Sequence, residues 1–441
     1  MPSTNPAAQL RSSVPEGTIP VGISLLVAGL ATYAFFKVGT VAVGGADEFA
    51  PIASMWFAVF ALAPGFFLPL EQELGRALSH RRAIGDGGQP VVQKVVRLGA
   101  ILVALVTVVI ILLSPFITSS YFDGDWFMVI ALITAFAAYA PAHMTRGIAA
   151  GSGRFHDYAV VLGADGVVRI ILCIALAVVG VTAAGAYGMA VAVAPLFAVA
   201  YVARRGALRT DPGPPAEWSE VTPNLGWLLV GSVCAATLLN AGPITASLLA
   251  SDDEEALITA FSYGVLLSRI PLFMFQAVQA ALLPRLSRQA AQGAYAEFRS
   301  GLKRLMLLVL AVGVAGTLGA FLLGPWVLHL VYDADLSGRT LAMLTLSSAL
   351  YMLALATAQA VIALQGHSLV AIGWVLGLSS FVLTTWLSSG EVYRRIEIGL
   401  VVSSLVALAA FGLALHHRLR VGAMPTQSSM MEAITDMPFE S

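Results

Sequence analysis

Arg204-Arg-Gly-Ala-Leu-Arg-Thr-Asp-Pro-Gly-Pro-Pro-Ala-Glu-Trp-Ser-Glu-Val-Thr-Pro-Asn224 is the longest loop inside the chain, and its reading decides the fold. It is polar and holds Asp211-Pro-Gly-Pro-Pro215, a composition that stops a helix and starts a connection. On either side the sequence turns apolar for about two hundred residues. The loop therefore reads as a linker, 204–224, between an N-terminal half, 18–203, and a C-terminal half, 225–418.

The wider composition sets the solvent. Of 441 residues, 58% are hydrophobic and only 11% charged, whereas a soluble domain carries roughly a quarter charged residues. Each bilayer crossing needs ~20 apolar residues. The apolar runs, broken by charged or Pro/Gly-containing clusters, predict twelve helices: 18–43, 49–70, 94–119, 125–145, 157–181, 184–203, 225–250, 256–283, 302–331, 338–364, 367–388 and 392–418. The expected fold class is all-α, a polytopic membrane protein of two six-helix lobes. The stretch after the polar segment 1–17 is too long for the apolar region of a signal peptide, so it reads as a retained first helix. Residues 419–441 read as a cytoplasmic tail.

Basic residues orient the chain. With the N-terminus in the cytoplasm, most of the 24 lysines and arginines fall on the inner side. The outer loops keep Arg339, Arg394 and Arg395, and one of them is acidic, Asp252-Asp-Glu-Glu255. The positive-inside rule then puts both termini in the cytoplasm of a cell (plasma or inner) membrane protein. The halves also resemble each other. Leu25-Leu-Val27 aligns with Leu228-Leu-Val230 at an offset of 203, which places Lys37 on Asn240, and Val161-Leu-Gly163 matches Val375-Leu-Gly377 at an offset of 214. Six helices per half make this a parallel repeat about an axis along the membrane normal.

Charges inside the spans are the candidate site residues, because a charge at the bilayer centre costs ~2.5–3.5 kcal/mol on insertion scales. Arg269 lies near the middle of the eighth helix, and Pro271 follows it. The proline removes a backbone hydrogen bond and opens a polar notch. Arg269 reads as a cationic contact for an anionic substrate group, or as the partner of a carbonyl or carboxylate on a neighbouring helix. Asp165 and Arg169, four apart on the fifth helix, share a face. They are either a self-neutralising ion pair or a cavity-facing pair whose Asp carries a coupling proton or sodium ion. Lys37 either contacts substrate or extends its stem to the outer interface. Glu71 and Glu73 read as a solvated or gating end of the second helix. Pro64, Pro195 and Pro271 are hinge candidates.

Other chemistry finds no foothold. The sequence has no phosphate-cradling P-loop, no HExxH, and no paired Cys/His spacing for a metal. Its two cysteines, Cys173 and Cys234, stand alone in apolar runs. Neither an enzyme, a cofactor, a resident metal nor a nucleic-acid partner is expected.

Two stretches resemble a known family. Met144-Thr-Arg-Gly-Ile-Ala-Ala-Gly-Ser-Gly-Arg-Phe-His-Asp-Tyr158, running into Val161-Leu-Gly-Ala-Asp-Gly-Val-Val-Arg169, resembles the fourth-to-fifth helix junction of polysaccharide flippases. These belong to the multidrug/oligosaccharidyl-lipid/polysaccharide exporter superfamily. Ser268-Arg-Ile-Pro271 with Gln276-Ala-Val-Gln-Ala-Ala-Leu-Leu-Pro-Arg-Leu-Ser287 is similar to that family's eighth helix. The resemblance implies alternating-access transport of a polyprenyl-pyrophosphate-linked oligosaccharide from the inner to the outer leaflet, for polysaccharide or envelope biosynthesis. It implies that Arg269, then Arg169 and Lys37, contact the pyrophosphate. The partners implied are the lipid-linked oligosaccharide and membrane lipids, with a coupling ion and polysaccharide-assembly proteins as further candidates.

Three rivals stand beside it. A drug or cation antiporter of the same superfamily would want an uncompensated carboxylate in an early helix. A major-facilitator transporter would want an Asp-Arg pair after the second helix, where Gly75-Arg-Ala-Leu-Ser-His-Arg-Arg82 has His80 instead. A non-transporting scaffold for polysaccharide assembly would tolerate loss of the intramembrane charges.

Overall fold

The computed structural model describes residues 18–221, 225–249, 255–272, 275, 289, 293–364, 366–388 and 390–421. The sequence segments 1–17, Asp252–Glu254, Gln276–Ser287 and 422–441 lie outside these residues. Twelve long helices follow in order: α1 Thr18–Val43, α2 Ala46–Ile84, α3 Gln89–Tyr121, α4 Trp126–Gly151, α5 Phe155–Val178, α6 Ala184–Arg204, α7 Leu225–Leu249, α8 Glu255–Ser268, α9 Tyr295–Tyr332, α10 Gly338–Ala363, α11 His367–Leu387 and α12 Val392–Val421. Eleven described helices are long and apolar enough to cross a bilayer.

Packing repeats at an offset of six. In the first half α1 lies on α5, α2 on α4, and α4 and α5 on α6; in the second, α7 lies on α11, α8 on α10, and α10 and α11 on α12. The helix α3 docks mainly on α4 and α2, and α9 mainly on α10. They turn rows such as Ile101, Leu105, Val108 and Leu112 outward, the pattern of a lipid-facing surface. Local chemistry sets several ends. The Asp125 carboxylate accepts from the Phe127 N–H to start α4, and the Ser337 hydroxyl accepts from the Thr340 N–H to start α10. Gly85, at φ 82°, closes α2 in the left-handed conformation.

Two expected boundaries are corrected. The second helix does not stop at residue 70 but runs to Ile84, because Leu74, Ala77, Leu78 and Arg81 continue a buried face at helical spacing. Glu71 and Glu73 therefore lie inside a packed helix rather than at a solvated end, each about 5% exposed or less. The eighth helix breaks at Ser268, and Arg269 sits in a turn before the helical residues 270–272. That break is where Pro271 predicts one.

The lobes meet chiefly along α2 and α7. The seam is bonded at successive depths: Ser54 to Ser247 at 2.7 Å, Asn240 Nδ2 to the Phe60 carbonyl at 3.3 Å, and Ser232 to the Pro64 carbonyl at 3.2 Å. Gly65 makes the approach feasible, since a Cβ there would stand 3.0 Å from the Val233 Cα. A second seam joins α1 to α8, where Thr40 bonds to Tyr263 and the Tyr33 hydroxyl donates to the Leu266 carbonyl at 2.7 Å.

The linker is not a free tether. Buried Arg81 donates to Glu220 through Nε at 2.6 Å and Nη2 at 3.0 Å, and through Nη1 to the carbonyls of Gly87 at 2.9 Å and Pro214 at 2.8 Å. The Gln89 N–H donates to the Asp211 carbonyl at 3.0 Å, and Lys94 lies 4.4 Å from the ring centre of Trp218. These bonds fasten residues 211–220 to the N-lobe directly before α7 begins.

Candidate functional site

Two arginines flank the first half of α2, each under a phenylalanine of that helix. The Arg169 guanidinium carbon lies 4.8 Å from the Phe60 ring centre, and that of Arg269 lies 5.3 Å from the ring centre of Phe57. Both side chains are almost wholly buried, at 2% and 4% exposure. What surrounds them differs.

Arg169 is neutralised within its own lobe. Its Nη2 bonds Asp165 at 2.5 Å, and the Tyr139 hydroxyl from α4 reaches the same carboxylate at 3.1 Å. The fifth-helix pair is thus the internal ion pair that its spacing predicts. Its Nε is buried without a hydrogen-bond partner.

Arg269 has no such counterweight. Its Nη2 donates to the Leu239 carbonyl on α7 at 2.5 Å, and no carboxylate among the described residues stands within 4 Å. Burying an unpaired charge is costly, and among the described residues a carbonyl and the negative face of an aromatic ring offset it. Arg269 lines a narrow cleft of about 30 Å³ with Ser268, Ser347, Ser348 and Tyr351. As it stands the cleft has room for a water or two, well below small-ligand pockets, so an anion at Arg269 requires the surrounding helices to part.

Sequence reasoning missed a second buried cluster. Glu71 Oε2 meets His143 Nδ1 at 2.8 Å and accepts from Arg146 Nε at 3.0 Å, while Oε1 accepts from the Tyr158 hydroxyl at 2.8 Å. The four residues come from α2, α4 and α5, and the close approach of α2 to α4 depends on Gly147, where a Cβ would lie 2.8 Å from the Glu71 carbonyl oxygen. No local pattern announces such a cluster; only the apolar spacing beyond Leu70 hints that Glu71 stays in the helix. Together the two N-lobe groups balance two arginines against two carboxylates.

The remaining candidates are placed as follows. Lys37 lies on the rim of the α1/α8 seam, on the side of α1 shared with exposed Leu30 and Val41, and forms no ion pair with the described residues. It is not brought to Arg169. The Pro64 carbonyl accepts from Ser232 inside the lobe seam, and Pro195 is buried within α6. Pro271 lies against Gly316 of α9. Prolines also occupy α3, α4, α7 and α9, so a proline inside a span does not single out a hinge. No group of three metal-ligating side chains occurs among the described residues.

No known protein-family profile matches the chain. It is similar to an uncharacterized protein of Mycobacterium tuberculosis (strain CDC 1551 / Oshkosh), 26% identical over 423 residues that cover 92% of this chain and 94% of that protein. An uncharacterized Mycobacterium bovis protein is 24% identical over 368 residues, covering 80% and 82%. Among solved structures, the outward-facing form of a multidrug resistance MATE family transporter of the MOP superfamily superposes with a TM-score of 0.67 at 13% identity, covering 92% of this chain and 96% of that one. The inward-facing form gives 0.64 at 14%, covering 91% and 96%. The Vibrio cholerae MATE transporter VcmN in the bent form gives 0.62 at 16%, covering 92% and 98%.

The chain is a polytopic membrane protein with two six-helix lobes. Its fold is that of the MATE transporters.

Proposed function

We propose that this protein is an alternating-access transporter that flips a polyprenyl-pyrophosphate-linked oligosaccharide from the cytoplasmic to the outer leaflet. The observation that carries the reading is Arg269: a buried cation at the junction of two lobes, with a carbonyl and a ring for company and no carboxylate partner among the described residues. A pyrophosphate supplies the missing charge, and guanidinium–phosphate bonds are about twice as strong as neutral hydrogen bonds. Both the phosphate end and the saccharide need the larger space created when the lobes part, with the phosphate end meeting Arg269. Both termini lie in the cytoplasm, and Arg169 acts from within its pair with Asp165 to shape the field around the site.

The superfamily fold also hosts drug antiport. The carboxylates here argue against a cationic drug. Glu71, Glu73, Asp165 and Glu397 are each held by an arginine, at 2.8, 2.7, 2.5 and 2.5 Å. A cationic drug would have to displace an arginine from each.

Reconstituted protein separates the two. Proteoliposomes are loaded with a fluorescent polyprenyl-pyrophosphate oligosaccharide, and a cationic dye is run in parallel. Translocation of the lipid with no dye movement is the expected result. Dye transport without lipid translocation would establish antiport and end the flippase reading.

A further inference from the structure

We infer that Phe57 is a positioning residue that closes the two lobes on Arg269 in the empty protein, and that an anion at Arg269 unloads this contact. The second clause rests on the function proposed above; the first rests on geometry alone. Phe57 belongs to α2 of the N-lobe and is fully buried. Arg269 belongs to the C-lobe, where its other bond, to Leu239, also lies. The 5.3 Å contact between guanidinium and ring is therefore a bond between lobes.

Three features make it a bond that substrate can break. First, the guanidinium is desolvated, which strengthens its attraction to the ring relative to an exposed pair. Second, the ring is a poorer partner than a phosphate, which can take two charge-assisted hydrogen bonds from the same group. Third, the backbone under Arg269 is already out of the helix, in the turn between Ser268 and residue 270, so the side chain can be redirected without melting α8. The pair at Arg169 shows the opposite arrangement. Arg169, Phe60 and Asp165 all belong to one lobe, and the carboxylate fixes the cation whether or not the lobes move.

A ligand can shift a conformational balance only by its differential affinity for the two forms. Here the closed, empty form spends Arg269 on Phe57, whereas the anion-bound form spends it on phosphate. Losing the ring should thus move the empty protein in the same direction as adding the anion.

Spin labels on one outer-end residue of each lobe, on the full chain in nanodiscs, report the separation. Phe57→Leu removes the quadrupole while keeping an apolar side chain; Phe57→Trp keeps an aromatic face. The expected result is an open-to-closed ratio raised on the order of tenfold in Phe57→Leu and unchanged or lowered in Phe57→Trp. Farnesyl pyrophosphate should open the wild type toward the Phe57→Leu distribution and leave Phe57→Leu itself almost unmoved. If Leu and Trp shift the ratio alike, or neither shifts it, ring volume or nothing is at work and the inference is overturned. A Leu/Trp difference that persists while farnesyl pyrophosphate moves no variant would uphold Phe57 as the inter-lobe contact and sink the pyrophosphate reading alone.

Discussion

The two lobes bury an arginine beside the same helix and solve its charge in different ways. In the N-lobe, Arg169 has Asp165 one turn away and Tyr139 across from it. In the C-lobe, Arg269 has a carbonyl and Phe57. A protein selected only for stability would favour the first solution twice, because an uncompensated buried charge gains nothing that a leucine would not. On the proposed function, the contrast separates a cation that holds the fold together from one held available for a ligand.

Breaking the N-lobe pair should have the largest effect on stability. Replacing Asp165 with Asn leaves Arg169 buried and unpaired, at a cost of about 3–5 kcal/mol. The thermal midpoint in detergent should fall well below wild type, whereas Arg269→Met should match or exceed it. Equal losses in the two variants would erase the distinction between the lobes. A sharper version makes the C-lobe imitate its partner. Ser348 borders the same cleft as Arg269, so Ser348→Asp should supply the missing carboxylate. Folding and insertion should survive, while lipid-pyrophosphate binding is lost. Retained binding would mean that Arg269 reaches the ligand from elsewhere.

A smaller effect is expected at the linker. Arg81→Ala leaves Glu220 and several carbonyls without their donor, at a cost of about 1–3 kcal/mol. Residues 211–220 should then become open to limited proteolysis while the helices stay intact; an unchanged digestion pattern would show that the clamp is dispensable. Lys37→Gln should change translocation by about twofold or less, since a half-buried charge at the rim, on a flexible stem and without an ion-pair partner among the described residues, contributes little. A tenfold loss would bring Lys37 into the site.

Much of this fold was legible before any coordinates. Hydropathy placed α1 at its observed ends and most other helices within a few residues, because a bilayer imposes length and apolarity directly on the chain. It failed on residues 71–84. Their charges end the apolar run, yet the helix continues because its packed face needs only Leu74, Ala77 and Leu78. The same failure hid Glu71 and Arg146, which were drawn outside the spans and prove to be buried partners. Arg269 was legible because a charge followed by a proline is conspicuous in an apolar run. Phe57 was not. Its role comes from which lobe it belongs to and what it faces, and aromatic residues are ordinary in spans.

The most direct test is lipid-pyrophosphate oligosaccharide translocation by the Arg269→Ala protein, reconstituted at the same density and orientation as wild type. The account predicts a fall to the background rate of protein-free vesicles with the thermal midpoint intact. Translocation at the wild-type rate would contradict it, because the cation proposed to meet the pyrophosphate would then be dispensable.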